Sequence, residues 1–243
     1  MNEPKHPTRN PVAICSQLPP DVVYHKTRNS YDERLARDFP SLVLRGEQSE
    51  GFRGQWRQQI FAVSESSKLG VDLGCGYGHW LTQLAGDNPT HLYVGLDWTY
   101  KAIYHAAQKI GKRNLSNVRL LRANAGRMQL IFGHEEVDEV YLYFPDPWPR
   151  EKFAHKRLLH RYYLQSLANI LKPGARLWFK TDHDDFFSWG LEQFASLPLS
   201  FEVLEIIPDL HSSQHPATHG GSLYEHLFKQ RGMPIKFLSA IRR

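Results

Sequence analysis

Val71-Asp72-Leu73-Gly74-Cys75-Gly76-Tyr77-Gly78 decides the reading of this chain: an apolar strand runs into an acid, and three glycines turn the chain into a helix. Glycine lacks Cβ and tolerates positive φ, so such a loop bends sharply and lets a ligand approach the backbone. A G-x-G-x-G pattern alone also suits an ordinary turn. Its sequel adds weight: His91-Leu92-Tyr93-Val94-Gly95-Leu96-Asp97 is a second strand ending in a carboxylate about 20 residues on, the spacing at which dinucleotide sites hold ribose hydroxyls. Loop, helix, strand and acid in this order predict a Rossmann-like nucleoside site.

Outward from the loop the chain alternates strand and helix, the pattern of a parallel sheet covered on both faces. Strands are expected at 69–74, 91–97, 118–123, 137–144 and 175–181, and helices at 78–86, 99–111, 157–171 and 184–195. Glu47–Val63 reads as a helix beside the first strand. Phe201–Ile207 and His226–Gln230 read as two further short strands, separated by a long polar loop, His211–Ser222. The expected architecture is an α/β, mostly parallel, seven-stranded sheet with helices on both faces and an antiparallel C-terminal strand. Residues 1–45 carry six prolines, among them Pro19 and Pro20, and read as an irregular arm with one helix near Tyr31–Phe39. Residues 46–243 form the α/β domain.

With 243 residues, 41% of them hydrophobic, the chain can bury a substantial core. No apolar signal core or membrane-length run is visible. Cys15 and Cys75 make no disulfide framework, which fits a reduced, cytoplasmic setting. The formal charge of +5 permits a polyanionic partner. Arg150, Lys152, Lys156, Arg157 and Arg161 cluster with only Glu151 opposed; a solvated helix face explains them as readily as a phosphate-binding strip. His155 and His160 have no metal-ligand spacing and read as surface residues, so no metal is expected.

Ligands of open α/β sheets bind at the carboxyl ends of the strands. Those ends carry Asp72, Asp97, Asn124, Asp146 and Asp182. Each has a structural alternative, since Asp97 and Asp182 can cap the helices that follow them, but five on one rim point to a site. Asp146 stands out in Tyr143-Phe144-Pro145-Asp146-Pro147-Trp148-Pro149. Prolines on both sides fix the backbone, and a fixed frame is what a reacting geometry needs.

The glycine loop, Phe144-Pro145-Asp146-Pro147-Trp148-Pro149, Lys180-Thr181-Asp182, Ser222-Leu223-Tyr224-Glu225 and the lead-in Phe52-Arg53-Gly54-Gln55-Trp56 together resemble the bacterial tRNA (guanine-N7)-methyltransferases of the TrmB type. The resemblance covers roughly Glu47 to Gly232, and the proline-framed acid is its most specific part. It implies a class I methyltransferase that uses S-adenosyl-L-methionine on tRNA. Carried over by position, Asp72, Gly74, Gly76, Gly78, Asp97, Asn124 and Asp146 hold the cofactor, and Asp146 is the catalytic acid. Arg150, Asp182, Ser222, Leu223, Tyr224 and Glu225 meet the target guanine or its nucleotide, and Lys152, Lys156, Arg157 and Arg161 meet RNA phosphates.

Asn124 stands where the family usually has an acid, Arg150 where it has Lys, and Ser222 where it has Thr. The stretch after Pro149 is less densely basic than usual, with Phe153 and Ala154 inside it. Two alternatives therefore stay open: a methyltransferase of the same fold acting on a small heteroaromatic molecule, and a non-catalytic RNA-binding relative. A monomer or a homodimer fits either, with no membrane partner.

Overall fold

A computed structural model of the chain describes residues 29–64, 66–218 and 223–243. Its centre is an eight-stranded sheet: β1 (Val43–Arg45), β2 (Leu69–Leu73), β3 (Leu92–Asp97), β4 (Val118–Arg122), β5 (Val137–Tyr143), β6 (Leu171–Thr181), β7 (Phe201–Ile207) and β8 (Lys236–Arg242). They lie in the order β1-β4-β3-β2-β5-β6-β8-β7. All pairings from β1 to β6 are parallel, and β8 runs antiparallel to both β6 and β7. The reversed C-terminal strand agrees with expectation.

Helices α1 (Ser30–Asp38), α2 (Gly46–Glu50), α3 (His79–Asp87), α4 (Tyr100–Lys112), α5 (Met128–Ile131), α6 (Arg161–Ile170), α7 (Asp184–Ala195) and α8 (Leu223–Gln230) surround the sheet. Side chains alternate between two apolar layers. Val140 and Leu142 of β5 join Leu164, Leu167 and Phe186 on one face. Tyr141 and Tyr143 join Leu81, Ile103 and Ile110 on the other. Central strands covered on both faces read as continuous apolar runs, which is why β2 to β5 were visible in the sequence. No helix among the described residues is long and apolar enough to cross a membrane.

Four expectations need correction. The sheet has eight strands rather than seven, because Val43–Arg45 of the supposed arm pairs in parallel with β4. Upstream of it, α1 packs Leu35 into the layer that holds α3 and α4. The single helix expected over Glu47–Val63 is broken into α2 and a wide turn at Trp56–Ile60. Here the buried Glu136 carboxylate takes the N–H groups of Gly54 at 2.9 Å, Trp56 at 2.9 Å and Gly133 at 2.7 Å, replacing helical partners.

His226–Gln230 is not a strand but the last part of α8. Tyr224, Leu227 and Phe228 recur at intervals of three and four, the helical period. The strand lies further on, at Lys236–Arg242. Finally, β6 begins at Leu171 rather than 175: Leu171 pairs with Val137, and the register shifts before Arg176 pairs with Glu139.

Candidate active site

The carboxyl ends of β2 to β6 form one rim, and the glycine loop opens it. Gly74 and Gly78 take left-handed backbone at φ +81° and +68°. At Gly78 a Cβ would lie 2.7 Å from the Cβ of Ala106, so glycine is needed for α3 to pack on α4. At Gly74 a Cβ would meet nothing within 4 Å. Its backbone therefore faces open space and can be approached.

Three carboxylates sense one another there. The Asp97 side chain accepts the N–H of Gly76 at 3.0 Å and of Thr99 at 2.7 Å, tying β3 to the glycine loop. Burial pushes its pKa up, those N–H groups pull it back, and the charge of Asp146 pushes it up again. The Thr99 side chain hydrogen-bonds the same carboxylate, which leaves about one of its four or so lone-pair positions for a ligand. Asp72, 4% exposed, is pushed up to about 7 by burial and then by the charge of Asp97. Asn124 follows β4 and caps a short turn, accepting the N–H of Gly126 at 2.8 Å.

Asp146 is exposed on a loop whose two shoulders are strained. Phe144 at φ 54° and Trp148 at φ 43° both adopt left-handed backbone, at about 1–3 kcal/mol each for bulky residues held against preference. The surroundings hold both. Phe144 N–H donates to the Lys180 carbonyl at 2.8 Å. Arg157 donates Nε to the Pro147 carbonyl at 3.0 Å and Nη2 to the Trp148 carbonyl at 3.1 Å. Strained backbone of this kind clusters at functional sites and switch regions.

This corrects the expectation for Arg157. Its guanidinium is buried, stacked 4.5 Å from the Trp189 ring, and holds the acid's loop instead of presenting charge. Arg150, Lys152, Lys156 and Arg161 are exposed as expected. The ammonium of Lys156 lies 4.9 Å from the Trp148 ring and 4.8 Å from the Phe153 ring. Phe153, an interruption when seen in sequence, packs edge-on against Trp148 at 5.8 Å and gives the strip an aromatic floor.

Glu225 also departs from expectation. Its carboxylate is 2% exposed and receives Nζ of Lys180 at 2.9 and 3.1 Å, so it is spent on an internal ion pair. Its neighbour Tyr224 is 57% exposed, with its ring 6.4 Å from that of Phe144. Leu223 opens α8, and Ser222 lies outside the described residues. Asp182 is half-buried at the end of β6 and does not cap α7, since His183 accepts the Phe186 N–H at 3.2 Å. The capping alternative for Asp182 is thereby removed.

Three side chains escaped the sequence reading. Trp98, directly after Asp97, is held by the Arg122 guanidinium 4.3 Å from its ring. The Trp80 ring packs tilted against that of Tyr143, centroids 5.2 Å apart, and its buried Nε1 has no hydrogen-bond partner among the described residues. Lys180 is wholly buried. A lysine one residue before the end of an apolar strand was the signal that could have found it, because lysine is almost never fully buried unless paired.

A family model described as "Putative methyltransferase" matches residues 66–238. Among solved structures, a 16S rRNA methyltransferase, KamB, superposes with a TM-score of 0.56 at 16% identity, covering 81% of this chain and 92% of that one. An antibiotic-related methyltransferase gives 0.52 at 17% identity, covering 90% and 96%. At these identities the two share the fold. Closer in sequence is a tRNA (guanine-N(7)-)-methyltransferase of Desulfitobacterium hafniense (strain Y51), 31% identical and covering 76% of this chain and 83% of the relative. A protein of the same name from Clostridium botulinum (strain Okra / Type B1) is 32% identical, covering 80% and 89%. With such relatives along most of its length and the family match over the whole sheet from β2 into β8, the chain belongs to the tRNA (guanine-N7)-methyltransferase family.

Proposed function

We propose that this enzyme transfers a methyl group from S-adenosyl-L-methionine to N7 of a guanine in tRNA, the variable-loop guanine that the family resemblance implies. The observation that carries the reading is Asp146, exposed between two strained shoulders and electrostatically coupled to Asp97 across the rim.

The rim fits the cofactor. Gly74 leaves its backbone approachable, Asp97 keeps a lone pair for a ribose hydroxyl, and Trp98 offers a flat face beside it. Asp72 is a buried acid whose charge no described residue compensates, which suits a ligand ammonium. Bound there, S-adenosyl-L-methionine supplies a methyl on a positively charged sulfonium. Guanine N7 already carries an available lone pair, so the chain needs no strong base; its task is alignment. Asp146 orients the reactants from its fixed loop.

Guanine also offers N1–H and an amino group, a pair of donors that a carboxylate accepts and adenine lacks. Asp182 takes this role, since Glu225 is committed to Lys180. Tyr224 provides an exposed ring on which an extruded base can stack. Arg150, Lys152, Lys156 and Arg161 are free of burial and hold phosphates. A small heteroaromatic substrate would have no use for this strip, and the relatives are not named for one. A cytoplasmic setting follows from the same reading.

Incubation with labelled S-adenosyl-L-methionine and an unmodified tRNA transcript, followed by digestion to nucleosides, tests it. Label in 7-methylguanosine is expected, and label in any other nucleoside overturns the assignment.

A further inference from the structure

Lys180 joins three parts of the molecule that are distant in sequence. Its carbonyl accepts the N–H of Phe144, the first residue of the Asp146 loop, at 2.8 Å. Its ammonium donates to the Ala217 carbonyl at 2.7 Å and to both oxygens of Glu225 at 2.9 and 3.1 Å. An ammonium has three protons to donate, and here all three have partners. The Tyr143 ring lies 4.5 Å from the same nitrogen and the Trp80 ring 5.7 Å, so the charge sits in an aromatic box away from solvent. His211 completes the cluster, with Nε2 3.3 Å from Glu225.

Ala217 and Glu225 bracket the segment that leads into α8, and Tyr224 precedes Glu225. One buried side chain thus ties Ala217 and Glu225, with Tyr224 beside it, to the start of the strained loop of Asp146. The Phe144 and Tyr224 rings meet across that junction, with Phe228 behind them, 5.6 Å from Phe144.

We propose that Lys180 is a positioning residue: its buried ammonium clamps Ala217 and Glu225, and so holds Tyr224 and the start of α8 in register with the Asp146 loop as the wall of the substrate pocket. Lys180 touches neither substrate nor cofactor in this role. The clamp rests on the reading of the rim as a guanine pocket, but its mechanical half can be measured without that reading.

The test uses the full chain with Lys180→Met, with Lys180→Met/Glu225→Gln, and with Lys172→Met as a control at the far end of the same strand. The single variant leaves Glu225 buried without its cation, which destabilises the fold by itself; the double variant removes both charges. In the double variant, amide hydrogen exchange over residues 217–228 is expected to quicken at least about tenfold while the rest of the sheet stays protected. KM for tRNA is expected to rise about tenfold, with the affinity for S-adenosyl-L-methionine changed less than about twofold. Lys172→Met changes neither. Exchange over 217–228 that matches wild type overturns the clamp. Faster exchange with unaltered kcat and KM overturns its role in positioning. If wild-type protein methylates no guanine, the proposed function falls, and the exchange result still decides the clamp.

Discussion

Asp72 is expected to make the ligand-free protein less stable as pH rises from 5 to 8, and Asp72→Asn to remove that loss. The native carboxyl titrates at about 7 against an ordinary value of 3.8. Between those values the folded state keeps a proton that the unfolded chain has given up. The contribution to stability is therefore fully present below the unfolded value and is lost as pH climbs through the folded one. Every pH step of one across that window removes about 1.4 kcal/mol. From pH 5 to the folded value spans about two such steps, so the loss is about 3 kcal/mol over the accessible range, or roughly 6–12 °C in melting temperature for a chain of this size.

Partial burial lowers the pKa of His79, His160 and His211, which acts in the opposite direction. The quantity to follow is therefore the difference between variant and wild type. Urea unfolding from pH 5 to 8 should show the advantage of Asp72→Asn growing by about 3 kcal/mol, with its pH-independent part cancelling. An advantage constant to within about 0.5 kcal/mol would refute the placement of an uncompensated acid beneath the glycine loop.

Asp146→Ala removes an exposed side chain, so melting should be unchanged while kcat falls by about a hundredfold or more; near-normal turnover would show that the acid is not positioned for reaction. Arg157→Ala should cost about 2–3 kcal/mol of stability, since two part-buried carbonyls lose charged donors, and it should lower kcat as well. Arg157→Lys should not restore either, because an ammonium lacks the fork that reaches both carbonyls, and thermal melts with steady-state rates check this. Charge reversal at Lys152 and Lys156 should weaken tRNA binding and reduce the slope of log K against log salt by about 0.7–0.9 for each phosphate that the strip no longer neutralises. A slope equal to wild type in filter binding would place those lysines away from the RNA.

Much of the fold was legible because β2 to β5 are buried on both faces and separated by amphipathic helices, so apolar runs and turn glycines mark each one. Asp72, Asp97, Asn124 and Asp146 stood out for the same reason: each lies at or just past the carboxyl end of a recognisable strand. β8 was hidden, because Lys236-Phe237-Leu238-Ser239 carries buried polar residues within a central strand and shows neither an unbroken run nor an alternation. Glu225 and Arg157 were misjudged because charge in sequence does not reveal burial. The partner of Glu225 lies 45 residues away, on β6. Arg157 answers to main-chain carbonyls, Pro147 and Trp148, which no side-chain pattern encodes.

The most direct measurement is to locate the methyl on the RNA itself. An N7-methylated guanosine carries a positive imidazolium ring that reduction and aniline treatment open, cutting the chain at that nucleotide. Wild-type protein acting on one unmodified tRNA transcript should give a single new scission, at a guanosine, that requires S-adenosyl-L-methionine and disappears with Asp146→Ala. Label incorporated without scission, or scission undiminished in that variant, would contradict the account.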